Sequence, residues 1–290
     1  MKRVASMLVL LLLGCEGTPF DTPSIVLGPR VLGAVAEPPE VAPGAELTMA
    51  IATAMAEGAT VEWSADTSPN ALAASAGQQL FEARDPVPLP GGVLDGSATQ
   101  AAVDELLALV ADAPANTPES VVRIVYEEVG LVLTVQFVVR DAGGVVIAEG
   151  FKRVGVVPSP RTTNPPPPRF SVGDRAASAR LGDPTRCAPE GAPLEARAGE
   201  TIVLAPEPDE AWLETYPALD LEGRTIEGVE NAYYSWFATD GAFQFAVTRA
   251  PEREVEWTAP DTPGEVTFWL VVRDGHFGTS WCTATVAVLP

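Results

Sequence analysis

Histidine, lysine and cysteine are the scarce residues of this 290-residue chain: one His, two Lys (Lys2 and Lys152) and three Cys (Cys15, Cys187 and Cys282). A zinc centre needs about four His, Cys or carboxylate ligands, and that supply is too poor to build one. With a single His276, general acid–base or triad chemistry has one candidate imidazole, flanked by Asp274 and Ser280 and without a Gly-x-Ser-x-Gly elbow. No phosphate-cradling Gly-x-x-x-x-Gly-Lys run and no dinucleotide fingerprint occurs. Positive charge is also short: 18 Lys and Arg face 39 Asp and Glu, a net charge of -21, which argues against nucleic acid as a partner. The 47% hydrophobic content in turn excludes wholesale disorder.

The amino terminus is the most specific segment. Lys2 and Arg3 precede an apolar run from Val4 that ends Leu12-Leu13-Gly14-Cys15. A basic start and a short apolar core form a secretory signal over 1–14, too short to span a bilayer as a helix. The last four residues resemble the lipobox of bacterial lipoproteins. That resemblance implies cleavage before Cys15 and a diacylglycerol on its thiol; an ordinary secretory signal with an incidental cysteine is the plainer reading. Glu16 stands where the family uses Asp for inner-membrane retention, so the resemblance implies the outer membrane of a Gram-negative cell envelope. The membrane partner is then reached through the lipid, since each buried methylene contributes about 0.8 kcal/mol and no polybasic patch is present to help.

Residues 15–30 are punctuated by Pro and Gly without sustained period, as in a tether. The next such run, 159–168, contains Pro165-Pro166-Pro167-Pro168 and cannot join a central strand, so it reads as a linker between domains 31–158 and 169–290. Within the first domain, alternation predicts strands at Leu47/Met49/Ile51, Val61/Trp63, Val122/Ile124/Tyr126 and Leu131 to Val139, the last turning back at Asp141-Ala142-Gly143-Gly144. Ser97-Ala98-Thr99-Gln100 reads as a capping box opening a helical insertion near 98–112, with Val103, Leu106, Leu107 and Val110 on one stripe. That stripe either covers a sheet edge or meets a partner.

The second domain repeats the pattern at Ile202/Leu204, Tyr234/Trp236/Ala238, Phe243/Phe245/Val247, Val255/Trp257, Val266 to Val272 and Ser280 to Val288. Val138-Val139-Arg140-Asp141 and Val271-Val272-Arg273-Asp274 are the same tetrapeptide, each ending a strand and opening a Gly-containing turn, which suggests duplication. The expected fold is all-β: two Ig-like β-sandwich domains, the first with a short helical insertion, behind a lipoprotein signal peptide. Tyr234-Ser235-Trp236, Trp257-Thr258-Ala259-Pro260 and Val271-Val272-Arg273-Asp274-Gly275 resemble bacterial extracellular Ig-like or PKD-like modules. Such modules act as spacers, adhesion units or binding platforms, and the resemblance brings no catalytic motif, cofactor or metal.

Cys187 and Cys282 are the pair left after Cys15, and an oxidising compartment makes a disulfide between them the default, with free buried thiols as the alternative. Alternation turns Leu270, Val272 and Cys282 inward and Trp269 and Trp281 outward. If Val271 pairs with Trp281, the two indoles are diagonal neighbours on one face, an aromatic platform for a glycan or a protein. Otherwise Trp212, Tyr216 or the 218–231 loop folds over them. Asp141, Asp240 and Asp274 fall at strand ends, where they cap turns or offer oxygen to calcium, and no loop has EF-hand spacing. Glu127-Glu128 and Asp209-Glu210 are the adjacent acids that a glycosidase could use, but neighbours on a strand face opposite ways. The expectation is a non-enzymatic, lipid-anchored envelope module that is structural or binds an envelope protein. The alternative is a glycan-binding lipoprotein using Trp269 and Trp281, and an envelope hydrolase comes last.

Overall fold

The computed structural model describes residues 24–67, 85–112, 114, 118–172, 175–180, 183–189, 194–206, 211–220 and 224–290. The expected signal peptide and Cys15 lie outside the described residues, as do Asp209 and Glu210. Among those described, no helix is long and apolar enough to cross a membrane. Among the described residues strands predominate, with α-helices at 96–110 and 118–129, and the strands build two β-sandwiches in succession.

In the first sandwich, β1 (Arg30–Glu37), β3 (Leu47–Ala54) and β6 (Val93–Leu94) form one sheet in the order β1-β3-β6. The other sheet holds β2 (Glu40–Val41), β4 (Thr60–Asp66), β5 (Val87–Pro88), β7 (Leu131–Arg140) and β8 (Val146–Val156), in the order β2-β8-β7-β4-β5. The predicted alternation places Leu131, Leu133, Val135 and Val139 in the core with Leu47, Trp63 and Leu94. The β7–β8 turn works as its sequence requires. Asp141 Oδ1 accepts from the N–H groups of Gly143 and Val145, both at 2.9 Å, and Gly144 takes φ +81°.

Helix α1 (Gly96–Val110) corresponds to the expected insertion, with a different cap. Asp95, not Ser97, is the N-cap, its carboxylate accepting from Ser97 N, while Gln100 donates to Asp104 instead of closing a capping box. Ala102, Val103, Leu106 and Val110 are buried in the first core, so the apolar stripe is spent inside the domain. Residues predicted as a strand around Val122, Ile124 and Tyr126 form instead a second helix, α2 (Pro118–Val129). Its signals are present in the sequence. Pro118 suits the first helical position, Val125, Tyr126 and Val129 follow helical spacing, and Gly130 stops it at φ +88°, its N–H donating to Val125 O and Tyr126 O. Tyr126 is buried and Ile124 exposed, the reverse of what a strand with both on one face would give.

The second sandwich comprises β9 (Arg169–Val172), β10 (Arg175–Arg180), β11 (Asp183–Pro189), β12 (Leu194–Arg197), β13 (Thr201–Pro206), β14 (Thr215–Leu219), β15 (Thr225–Val229) and β16 (Tyr233–Ala238). It continues through β17 (Ala242–Phe243), β18 (Val247–Arg249), β19 (Val255–Thr258), β20 (Gly264–Arg273) and β21 (Thr279–Leu289). The order β17-β19-β13-β9 makes one layer and β21-β20-β16-β18 the other, linked through β10 and β11, while β14 and β15 pair apart. The predicted strand through Phe243, Phe245 and Val247 is broken into β17 and β18, with Phe245 exposed between them. Trp236 and Trp257 anchor the core at 1% and 0% exposure. Their indole N–H groups are satisfied by Thr248 Oγ1 at 2.9 Å and Asp240 O at 3.1 Å, which removes the cost of burying them.

Candidate functional site: the seam between the sandwiches

Strand β20 is buried on both faces. Val266, Phe268, Leu270 and Val272 point into the second core, as alternation predicts. Trp269 and Val271 point the other way and pack against Leu32, Ala52 and Ala54 of the first sandwich and against Val26. The register agrees with expectation, because Val271 pairs with Trp281 and Trp269 sits diagonal to it. The exposure does not. Trp269 is 7% exposed and Trp281 half-buried, so the expected aromatic platform is an interdomain contact. Its cover is β1 and β3, rather than Trp212, Tyr216 or the 218–231 loop. The physical reason is area: an indole face on a two-sided strand is covered by whichever apolar surface the chain can bring to it, here that of the neighbouring domain.

The expected tether is drawn into the same seam. From Ser24 onward it is docked, with Val26 N donating to Ala238 O at 2.8 Å, Ala238 N to Ser24 O at 2.9 Å, and Val26 buried. The 159–168 linker is stitched in too. The Asn164 amide donates to Ala36 O at 2.7 Å and Glu37 Oε2 at 2.6 Å, and its Oδ1 accepts from Thr279 N at 2.9 Å.

Polar groups from both domains lock this junction. Lys152 on β8 reaches across to donate to Phe277 O and, at 3.0 Å, to Thr279 Oγ1. Arg273 reaches the opposite way, donating to Leu32 O at 2.8 Å and to Ser235 Oγ at 3.0 Å within its own domain. Glu40 on β2 accepts from Arg161 N and Thr162 N through Oε2, and its Oε1 lies 3.0 Å from His276 Nε2. His276 is therefore not the solvated turn residue its place in a hairpin suggests. Its ring stacks on Tyr216 at 3.7 Å and its side chain is 14% exposed.

Burial sets the electrostatics. It pushes Glu40 up, but the hydrogen bonds from His276, Arg161 and Thr162 outweigh it and hold that carboxyl below its usual value. Burial pulls Lys152 down to about 8 against the opposing pull of Asp274. Burial raises Asp274, and it raises Glu230 to about 7 with help from the charges of Asp274, Glu214 and Glu40. Glu230 Oε1 and Asp274 Oδ2 are buried with no hydrogen-bond partner among the described residues. Lys152, Arg273 and His276 line a cleft of about 430 Å³ between β1, β8 and the β20–β21 turn.

Ser280, His276 and Asp274 are not brought together as a triad. Asp274 accepts from the His276 backbone N–H at 2.8 Å, the His276 ring goes to Glu40, and Ser280 Oγ donates to Pro166 O at 3.0 Å. Asp141 and Asp240 likewise cap their own turns, and no group of three metal-ligating side chains occurs among the described residues. Glu127 and Glu128 sit on α2 rather than on a strand. Cys282 is fully buried on β21, which runs parallel to β11 with Arg186 opposite Thr283, so Cys187 lies on the neighbouring strand. Sequence reading passed over Glu40, Lys152 and Arg273. The available signal was Lys152, the single lysine after Lys2 in an arginine-rich chain.

No family model matches the chain, and no curated protein does. Among solved structures it is similar to a nucleoside hydrolase-related hypothetical protein from Saccharophagus degradans associated with carbohydrate metabolism (16% identity, TM-score 0.25), over 44% of this chain and 26% of that one. It is also similar to the D00-D0 domain of intimin (11% identity, TM-score 0.22; 91% of this chain, 100% of that). A third likeness is to the Bacteroides ovatus mixed-linkage glucan utilization locus protein SGBP-B in complex with a mixed-linkage heptasaccharide (14% identity, TM-score 0.20), over 89% of this chain and 47% of that one. The chain thus spans about a quarter of the hydrolase-related protein.

Proposed function

We propose that this chain is a lipid-anchored, non-enzymatic cell-envelope protein whose paired sandwiches serve as a structural or protein-interaction module. The observation that carries the reading is the seam. Trp269 and Val271, the tether from Ser24, the 159–168 linker and the reciprocal Lys152 and Arg273 bonds are all spent on holding one sandwich against the other. A device that devotes its best aromatic face to interdomain contact is organised to present a fixed outer surface. On this reading the docking of residues 24–26 limits how far the body can stand from the lipid. The eight residues between Cys15 and Ser24 extend by at most about 28 Å, so the body stands close to the lipid surface. The alternative of glycan capture on Trp269 and Trp281 is not favoured, because that face is covered.

Cys15→Ser tests the anchor. Fractionation with metabolic palmitate labelling should show loss of label together with release from membranes or retention as an uncleaved precursor. Equal labelling and equal membrane retention in wild type and variant would remove the lipid from the proposal.

A further inference from the structure

We propose that the cleft at the seam is a binding site for the carboxylate of a sugar acid, with Lys152 and Arg273 as its cationic contacts and Phe151 as its flank. This goes beyond the structural role above and does not depend on the lipid.

The lining of the cleft carries the argument. It contains Lys152, Arg273 and His276 and no Asp or Glu, in a chain where 39 acids outnumber 18 Lys and Arg. His276 is engaged by Glu40, so Lys152 and Arg273 are the permanent cations of the lining. Neither has a carboxylate within ion-pair distance among the described residues; Asp274 is outside the lining and acts on Lys152 only through its field. An ammonium carries three N–H donors and a guanidinium five. Lys152 uses two of its three and Arg273 two of its five, all on neutral oxygens. Two half-buried cations with donors to spare recognise an anion, because charge-assisted hydrogen bonds inside a cleft are stronger than neutral ones and relieve the cost of desolvating the cations.

The rest of the wall selects the kind of anion. Phe151, with 60% of its surface exposed, lines the space together with Tyr233 and Phe137. Flat apolar faces beside a cation pair suit a compact ring that bears its carboxylate at one edge, and a volume of about 430 Å³ admits a single pyranose. A neutral sugar would leave both cations uncompensated.

Titration calorimetry of the detergent-solubilised exported protein tests this with D-glucuronate, glucose and the free acid N-acetyl-Ala-Ala as probes. Glucuronate should bind, with glucose at least about tenfold weaker, as expected for losing a charge-assisted pair. Lys152→Met and Arg273→Lys should each weaken glucuronate about tenfold, the second because lysine lacks the planar fork. If either variant melts early, the wild-type protein still decides the matter: glucuronate affinity should fall as the pH rises from 7 to 9, through the Lys152 value of about 8, while any glucose binding stays flat. Equal binding of glucuronate and glucose, no binding of either, or a flat pH profile overturns the site. Tighter binding of N-acetyl-Ala-Ala than of glucuronate overturns the sugar assignment in favour of a peptide terminus.

Discussion

The same four residues close the long strand of each sandwich, and their surroundings are opposite. Val138-Val139-Arg140-Asp141 ends β7, and Val271-Val272-Arg273-Asp274 ends β20. In both, the aspartate accepts from the N–H two residues on, Gly143 at 2.9 Å and His276 at 2.8 Å, so the local turn chemistry is shared. There the likeness stops. Arg140 pairs with Glu62 at 3.1 Å on the surface, whereas Arg273 crosses to Leu32 O in the first sandwich. Asp141 is half-buried and Asp274 fully buried. The outward residue Gln136 of β7 is exposed; its counterpart on β20, Trp269, is buried against the partner domain. A short motif dictates its own turn, and the domain it faces dictates what its charges are worth.

The sharpest way to break the comparison is through the cysteines, both of which fall in the second sandwich. We propose that Cys187 and Cys282 are joined, their strands being paired neighbours. Non-reducing peptide mapping should recover the linked peptides. In the chain-entropy model, closing a loop of about 95 residues stabilises by roughly 4–5 kcal/mol. Reduction should therefore lower the unfolding midpoint of the second sandwich by an amount of that order and leave the first sandwich to respond only through the seam. Two alkylatable thiols in the unreduced protein would rule the bond out.

Next in size is the matched pair Trp269→Ala and Gln136→Ala, measured by urea unfolding. Removing a buried indole costs about 3–5 kcal/mol, and removing an exposed glutamine should stay within about 0.5 kcal/mol. If Trp269→Ala also behaved as a surface change, the seam would not form in solution, and the comparison between the hairpins would collapse to sequence position alone.

Much of the fold was legible because alternation is a local signal. The strands around Leu47, Trp63, Leu133, Trp236, Trp257 and Leu270, and the pairing of Val271 with Trp281, follow from period two and a glycine turn. Helix α2 was misread because Val122, Ile124 and Tyr126 satisfy a two-residue period by coincidence, while Pro118 and Gly130, the helix punctuation, carried the better information. The seam was not legible, for a different reason. Alternation says which way Trp269 points but not what stands opposite. The partners that decide the chemistry lie far apart in sequence, as with Glu40 and His276, 236 residues from each other. No periodicity reports such a contact.

The pH response should also separate the halves. Glu230 has a folded value of about 7, raised by burial above the usual carboxylate range. A raised acid favours the protonated folded state, so its contribution is fully present below the unfolded value and is lost as pH rises towards 7. Lys152 has the same origin and the opposite direction. Burial lowers it to about 8, so its cost is present at neutral pH and is relieved as pH rises from 8 towards the ordinary lysine value. Urea midpoints followed from pH 4 to 7 should therefore decline in wild type and flatten in Glu230→Gln. An unchanged slope would show that Glu230 stays ionised in the folded protein.

The smallest effect is the one that most directly tests what the shared motif is worth. Arg140→Ala removes an ion pair with Glu62 whose partners are 35% and 65% exposed, and a surface pair of this kind contributes between nothing and about 1 kcal/mol. Salt at 1 M should erase even that, since screening then acts over about 3 Å. Arg273→Ala, at the equivalent position, leaves Leu32 O without its cross-domain donor and should cost about 1–3 kcal/mol, with little dependence on salt because the site is buried. The difference between the two substitutions, measured by urea unfolding at low and high ionic strength, isolates the contribution of the seam from that of the turn. Equal costs with equal salt dependence would mean that Arg273 is as solvated as Arg140, and that the two hairpins differ in nothing but their place in the chain.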